Sequence, residues 1–151
     1  MRNLIKTIFI IALFFIQGCA NNDCEDQLCF TPPRSFDFEV VDKASGENLF
    51  TNGTFSPDEI QVSNVADNSD LQFDFIDEDD INIIRIYSIG WETEISDVLL
   101  KISNTNILDL HVDAERVYEN CCSFTRYHEI RIDNAEYELN SQNGIYTVFI
   151  E

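Results

Sequence analysis

The chain is short of positive charge: 9 Lys and Arg stand against 28 Asp and Glu, with two histidines, for a net charge of −19. Beyond Arg2 and Lys6 the cations Arg34, Lys43, Arg85, Lys101, Arg116, Arg126 and Arg131 are scattered singly. Nucleic-acid binding by counterion release needs them clustered, so no nucleic-acid partner is expected. Such an exterior repels anionic headgroups too, and favours solubility and the attraction of cations. Helix formers are also scarce, with Met1 the only methionine and few alanines. Of the catalytic signatures, G-x-S-x-G, H-E-x-x-H, the P-loop and the dinucleotide fingerprint are all missing, and no Cys-His pair has a recognisable local pattern. No enzymatic activity is therefore expected.

What is abundant is Ile, Val and Phe, the last numbering 12. This apolar content separates the chain from highly charged disordered sequences, and these residues suit a pleated, half-buried surface. Alternation is explicit at Phe36, Phe38 and Val40, with Asp37, Glu39 and Val41 facing away. Leu71, Phe73 and Phe75 repeat it and form a hairpin with the run Ile81 to Ile89 across the acidic turn Asp77-Glu78-Asp79-Asp80. Val98, Leu100 and Ile102 should meet Leu108, Leu110 and Val112 across Ser103-Asn104-Thr105-Asn106. Thr51-Asn52-Gly53-Thr54 carries the strongest two-residue hairpin signal, and a strand is expected from Ile60. Segments from Phe124 to Ile132, Ala135 to Leu139 and Ile145 to Ile150 complete roughly eight to ten short strands, the pattern of an all-β, antiparallel β-sandwich of immunoglobulin-like or transthyretin-like type.

At the N-terminus, Arg2 and Lys6 precede an apolar run from Thr7 to Ile16, too short to span a bilayer of about 30 Å and typical of a secretory signal. The run ends at Ile16-Gln17-Gly18-Cys19, which resembles the bacterial lipobox: an apolar residue, a variable one, Gly or Ala, then Cys. That resemblance implies cleavage before Cys19 and lipidation of its thiol, so residues 1–18 are read as the signal peptide. Residues 19–35, which include Pro32-Pro33 and the acidic Asp23, Glu25 and Asp26, are read as a lipidated, flexible tether. One domain then occupies 36–151. With its lipobox, acidic tether and single acidic β domain with paired cysteines, the chain resembles the small outer-membrane lipoproteins common in Bacteroidota. The resemblance implies a location at the outer membrane, with the lipid on Cys19 as the link to the bilayer and a protein or glycan of the cell envelope as a further partner.

Four cysteines remain, Cys24, Cys29, Cys121 and Cys122. In an exported protein two disulfides are the default, and four cysteines allow three connectivities. Pairing of the adjacent Cys121 and Cys122 is disfavoured, because neighbouring Cα atoms sit about 3.8 Å apart whereas disulfides prefer roughly 4.4 to 6.8 Å. Cross-pairing of Cys24 and Cys29 with Cys121 and Cys122 is favoured over a four-thiolate zinc or copper(I) site, whose usual spacing is lacking in the second pair.

Three further constellations carry candidate chemistry. Asp77, Asp79 and Asp80, with Glu78 and with Asp67 and Asp70 nearby in sequence, offer the oxygen ligands calcium takes, without the pattern of a known calcium loop; no cofactor other than calcium is suggested. His111 shares a strand face with Asp109 and Asp113, and His128 precedes Glu129, an arrangement that could orient an imidazole for hydrolysis but also describes an ordinary polar outer face. Tyr87 and Trp91, with Ile89 between them and Arg85 extending the row, would present aromatics and a cation to a sugar or a partner protein. The leading expectation is a non-catalytic binding or accessory module. For its calcium- or carbohydrate-binding rival, calcium should raise the melting midpoint, or glycan-array signals should be lost on Tyr87→Ala or Trp91→Ala; neither response would remove that rival.

Overall fold

The computed structural model describes residues 29–78 and 81–151. The signal segment 1–18, Cys19 and Cys24 lie outside the described residues, as do Asp79 and Asp80. The alternating segments become strands β1 (Cys29–Phe30), β2 (Phe36–Asp42), β3 (Ile60–Asn64), β4 (Phe73–Ile76) and β5 (Ile83–Ile86). They continue as β6 (Glu94–Ile102), β7 (Thr105–Glu119), β8 (Cys122–Asp133), β9 (Glu136–Leu139) and β10 (Ile145–Ile150). Two five-stranded sheets result, one in the order β1-β8-β7-β6-β3 and the other β4-β5-β2-β10-β9. Their inner faces pack into one core, so the fold is an all-β sandwich.

The core follows the period-two pattern. Phe36, Phe38 and Val40 of β2, Ile84 and Ile86 of β5 and Val148 of β10 face Val98, Leu100 and Ile102 of β6 and Leu108, Leu110 and Val112 of β7, all in one cluster. The expected β6–β7 hairpin forms with Val98 opposite Leu110 and Leu100 opposite Leu108. The β4–β5 hairpin forms as well, with Phe73 opposite Ile86 and Ile76 opposite Ile83. On the outer side of the second sheet Arg85 lies across from both Asp37 and Asp74, and its guanidinium meets Asp37 through Nε at 2.9 Å and Nη2 at 2.7 Å.

Several features depart from the sequence reading. β2 and β10 run parallel, with Phe38 opposite Tyr146 and Val40 opposite Val148, and β1 runs parallel to the start of β8, whereas every other strand pair is antiparallel. Val41 is buried although its parity points outward, and Asn48 pairs with it in an isolated antiparallel bridge. No hairpin forms at Asn52-Gly53. The Asn48 side chain accepts the Phe50 amide at 2.9 Å and donates to the Asn82 carbonyl at 3.0 Å, which holds the segment as a compact turn over the buried Leu49. At Pro57–Glu59 a 3-10 turn precedes β3, whose strand begins at Ile60 as expected.

The span read as a flexible tether shortens. Residues 29–35 belong to the folded body: β1 lies beside β8, Thr31 N–H donates to the Ser123 carbonyl at 2.9 Å, and Arg34 N–H donates to the Tyr127 hydroxyl at 3.1 Å. Beyond Ser123 the outer edge of β8 has no strand partner among the described residues. His128 is an extra residue in the β7–β8 ladder, and Glu129, Arg131 and Asp133 alternate in charge along that edge, both devices that discourage edge-to-edge pairing.

The core account makes a quantitative demand. Leu110→Ala, at a fully buried site between the sheets, should lower unfolding free energy by about 2–5 kcal/mol, whereas Leu139→Ala on the exposed β9 should change it by about 0.5 kcal/mol or less. Equal effects of the two in chemical denaturation would contradict the placement of the core.

Candidate functional site

β7 and β8 outrun their sheet. β6 begins at Glu94, opposite Ala114, so residues 115–126 of the β7–β8 hairpin project past it as an arm about 17 Å long. The arm closes at Asn120 and Cys121, both with positive φ (49° and 67°), between the register partners Glu119 and Cys122. Two successive left-handed residues are the signature of the type I′ turn, whose twist matches that of paired strands. Cys121 is thus a turn residue, and only Cys122 belongs to a strand.

β1 attaches to this tip. Cys29 pairs in register with Cys122, at a Cα–Cα distance of 4.4 Å, and the two form a disulfide across a sequence separation of 93. Cys121 is disulfide-bonded as well; Cys24, the partner expected from the sequence, lies outside the described residues. One half of the expected cross-pairing is therefore in place.

Phe30 follows on the opposite face of β1, in one row with Ser123 and Tyr118. Its ring stacks on Trp91, with centroids 6.2 Å apart and planes 25° from parallel, and the Arg116 guanidinium lies 5.2 Å from its centroid. Arg116 is fixed in turn, donating to the Thr31 carbonyl at 3.0 Å, to Thr125 Oγ1 at 2.9 Å and to Ser123 Oγ at 3.1 Å. The result is a Trp91–Phe30–Arg116 stack, with Phe30 60%, Trp91 48% and Tyr118 69% exposed. Sequence reading passed over Phe30 and Arg116. The signal available was that Phe30 follows a cysteine whose partner precedes Ser123, which fixes the register of the pair.

Trp91 does not reach this position along a strand. β5 ends at Ile86, and residues 87–93 form a loop, so Tyr87, Ile89 and Trp91 share no strand face and Arg85 lies elsewhere, against Asp37. Tyr87 is half-buried and bonds Trp91 only through its carbonyl, which accepts the indole N–H at 2.9 Å. Gly90 makes the loop's course possible. Its φ of +91° suits glycine, and a Cβ there would lie 2.9 Å from the Tyr127 hydroxyl and 3.0 Å from Thr125 Cγ2. The Gly90 carbonyl accepts from Thr125 Oγ1 at 2.7 Å, the Arg116 amide donates to Thr93 Oγ1 at 3.0 Å, and burial pushes the Tyr127 phenol above its ordinary value.

The histidine face is arranged differently from expectation. Asp109, His111 and Asp113 do share the outer face of β7, but the carboxylate that meets His111 is Asp97 of β6, whose Oδ1 is 2.6 Å from Nδ1. Asp97, His111 and Arg131 form one cross-strand row. Asp109 instead accepts from the Asn134 side chain, and His128 meets Glu115 at 3.2 Å and not Glu129. No hydroxyl or thiol among the described residues is hydrogen-bonded to His111. The hollow beside it measures about 190 Å³, below the roughly 300–1,000 Å³ of small-molecule pockets. Asp77 and Glu78 line an open depression that also contains Arg85, a cation among the carboxylates, and no group of three metal-ligating side chains converges among the described residues.

Comparison with known proteins leaves the residues to speak for themselves: no family model, no curated protein and no solved structure matches the chain.

The staple makes the arm's order depend on a covalent bond. Replacing both Cys29 and Cys122 by Ser should cost about 2–5 kcal/mol of stability and loosen the stack, read as a red shift of the single Trp91 emission. Unchanged stability and emission would show that β1 holds its place without the bond.

Proposed function

We propose that the protein is a lipid-anchored β-sandwich of the outer membrane, held there through Cys19, and that it acts as a non-catalytic binding or accessory module. The observation that carries this reading is the Cys29–Cys122 disulfide. Disulfides belong to oxidising compartments, which fits an exported chain, and this one lies only ten residues beyond the proposed lipidated cysteine. It joins the segment that follows the anchor directly to the body, so that the domain is carried as one unit close to the membrane. Cys24 is the proposed partner of Cys121, which would make the attachment double.

The arrangement of polar groups supports a binding role over catalysis. Arg126 and Arg131 are each engaged by carboxylates on open strand faces, as the His111 ring is by Asp97, and the arginine–carboxylate rows present alternating charge to a partner, which gives orientation and specificity more than chemistry. The same pairings leave few cations for a phosphate backbone, in keeping with the absence of a nucleic-acid partner from the proposal.

Cys19→Ala tests the anchor. The variant should lose the lipid mass and leave the membrane fraction while its disulfides stay intact. Membrane retention unchanged by that substitution would overturn the reading.

A further inference from the structure

We propose that the arm tip is the face the domain sets against the bilayer, with Phe30, Trp91 and Tyr118 seated in the headgroup layer of a zwitterionic leaflet. This deepens the proposed function and rests on lipidation of Cys19. Three observations lead to it.

The first is reach. Cys29 lies ten positions after Cys19, a reach of at most about 36 Å, and Cys29 is bonded to the tip itself. Among the described residues, the arm tip is the part of the domain tied nearest in sequence to the proposed anchor.

The second is chemistry. Trp and Tyr concentrate at membrane interfaces, where one end of the side chain is apolar and the other wet. Here the indole N–H is already satisfied by the Tyr87 carbonyl, and three of the five Arg116 N–H groups by the Thr31 carbonyl, Ser123 and Thr125. The indole can therefore enter a region of thinned water without stranding its donor.

The third is charge. In a chain of net charge −19, the arm residues 115–126 carry none, because Glu115 and Glu119 are matched by Arg116 and Arg126. Both carboxylates are met by Arg126, Glu115 at 3.0 Å and Glu119 at 3.3 Å. The arm can approach a surface from which the acidic remainder is held off. Exposed Glu92, beside Trp91, sets the preference for a zwitterionic over an anionic leaflet.

Trp91 is the only tryptophan and so reports the contact directly. The lipidated full chain, its lipid confirmed by intact mass, is reconstituted in phosphatidylcholine vesicles bearing spin labels either near the headgroup or deep in the acyl chains. The expected result is a blue shift relative to the Cys19→Ala chain in solution, with greater loss of emission to the shallow label than to the deep one and protection from aqueous iodide. Tyr118→Glu, an exposed substitution, should reduce the blue shift and the shallow quenching while leaving lipid mass and far-ultraviolet dichroism unchanged. A lipidated, vesicle-bound chain whose Trp91 emission and iodide quenching equal those in solution would overturn the proposal and show a tip open to a glycan or protein. Absence of the lipid mass would overturn the proposal together with the anchor on which it rests.

Discussion

The bond between Cys29 and Cys122 is the constraint on which the arm depends. β1 is two residues long, and so short a ladder has little hold of its own against the entropy of the chain that precedes it. The covalent link fixes Cys29 against Cys122, and that register sets Phe30 opposite Ser123 and under the reach of Arg116 and Trp91. The path from Thr31 to Ser35, which carries the chain from one sheet to the other, starts from the same fixed point. Removing the staple therefore affects more than a loop: it frees the stack, the crossing and the end of the segment that leads towards Cys19.

The sandwich supplies the rigid base for this attachment. Its inner faces are closed by Phe and branched aliphatic side chains, chiefly from β2, β5, β6, β7 and β10, and the parallel pairing of β2 with β10 brings the two ends of the domain side by side in one sheet. Because β7 and β8 are longer than the neighbours that cover them, the hairpin leaves the core as a projection, and the loop 87–93 packs beneath it through Gly90, Thr93 and Tyr127. The acidic residues lie mainly on the outer faces, where Asp37 meets Arg85 in a cross-strand ion pair and Asp97 meets the His111 ring.

Much of the fold was legible in the sequence because burial on one face imposes alternation. The β4–β5 and β6–β7 hairpins, the strand from Ile60 and the final strand all follow from it, and pairing Val98 with Leu110 already places Asp97 opposite His111. Alternation is silent on which strand lies beside which, so the parallel β2–β10 pair and the move of β9 to the other sheet were not readable. Local chemistry misled at Asn52-Gly53, where Asn48 caps the preceding turn, and was hidden at Asn120-Cys121, since cysteine does not advertise a left-handed turn. The aromatic site was only half legible: Trp91 was found, but the row proposed for it required β5 to continue past Ile86, and its true neighbours Phe30 and Arg116 come from strands distant in sequence.

The central claim is that two cross-linked pairs tie the segment after the proposed anchor to the arm tip. The most direct measurement is a count of alkylatable thiols by intact mass, on two chains from an oxidising compartment. Both carry Cys19→Ala; one adds Cys24→Ser and Cys121→Ser, the other Cys29→Ser and Cys122→Ser. The account predicts no reactive thiol in either chain before reduction and two in each after it. Free thiols in either chain before reduction would contradict the pairing, and with it the attachment of the arm to the segment after the proposed anchor.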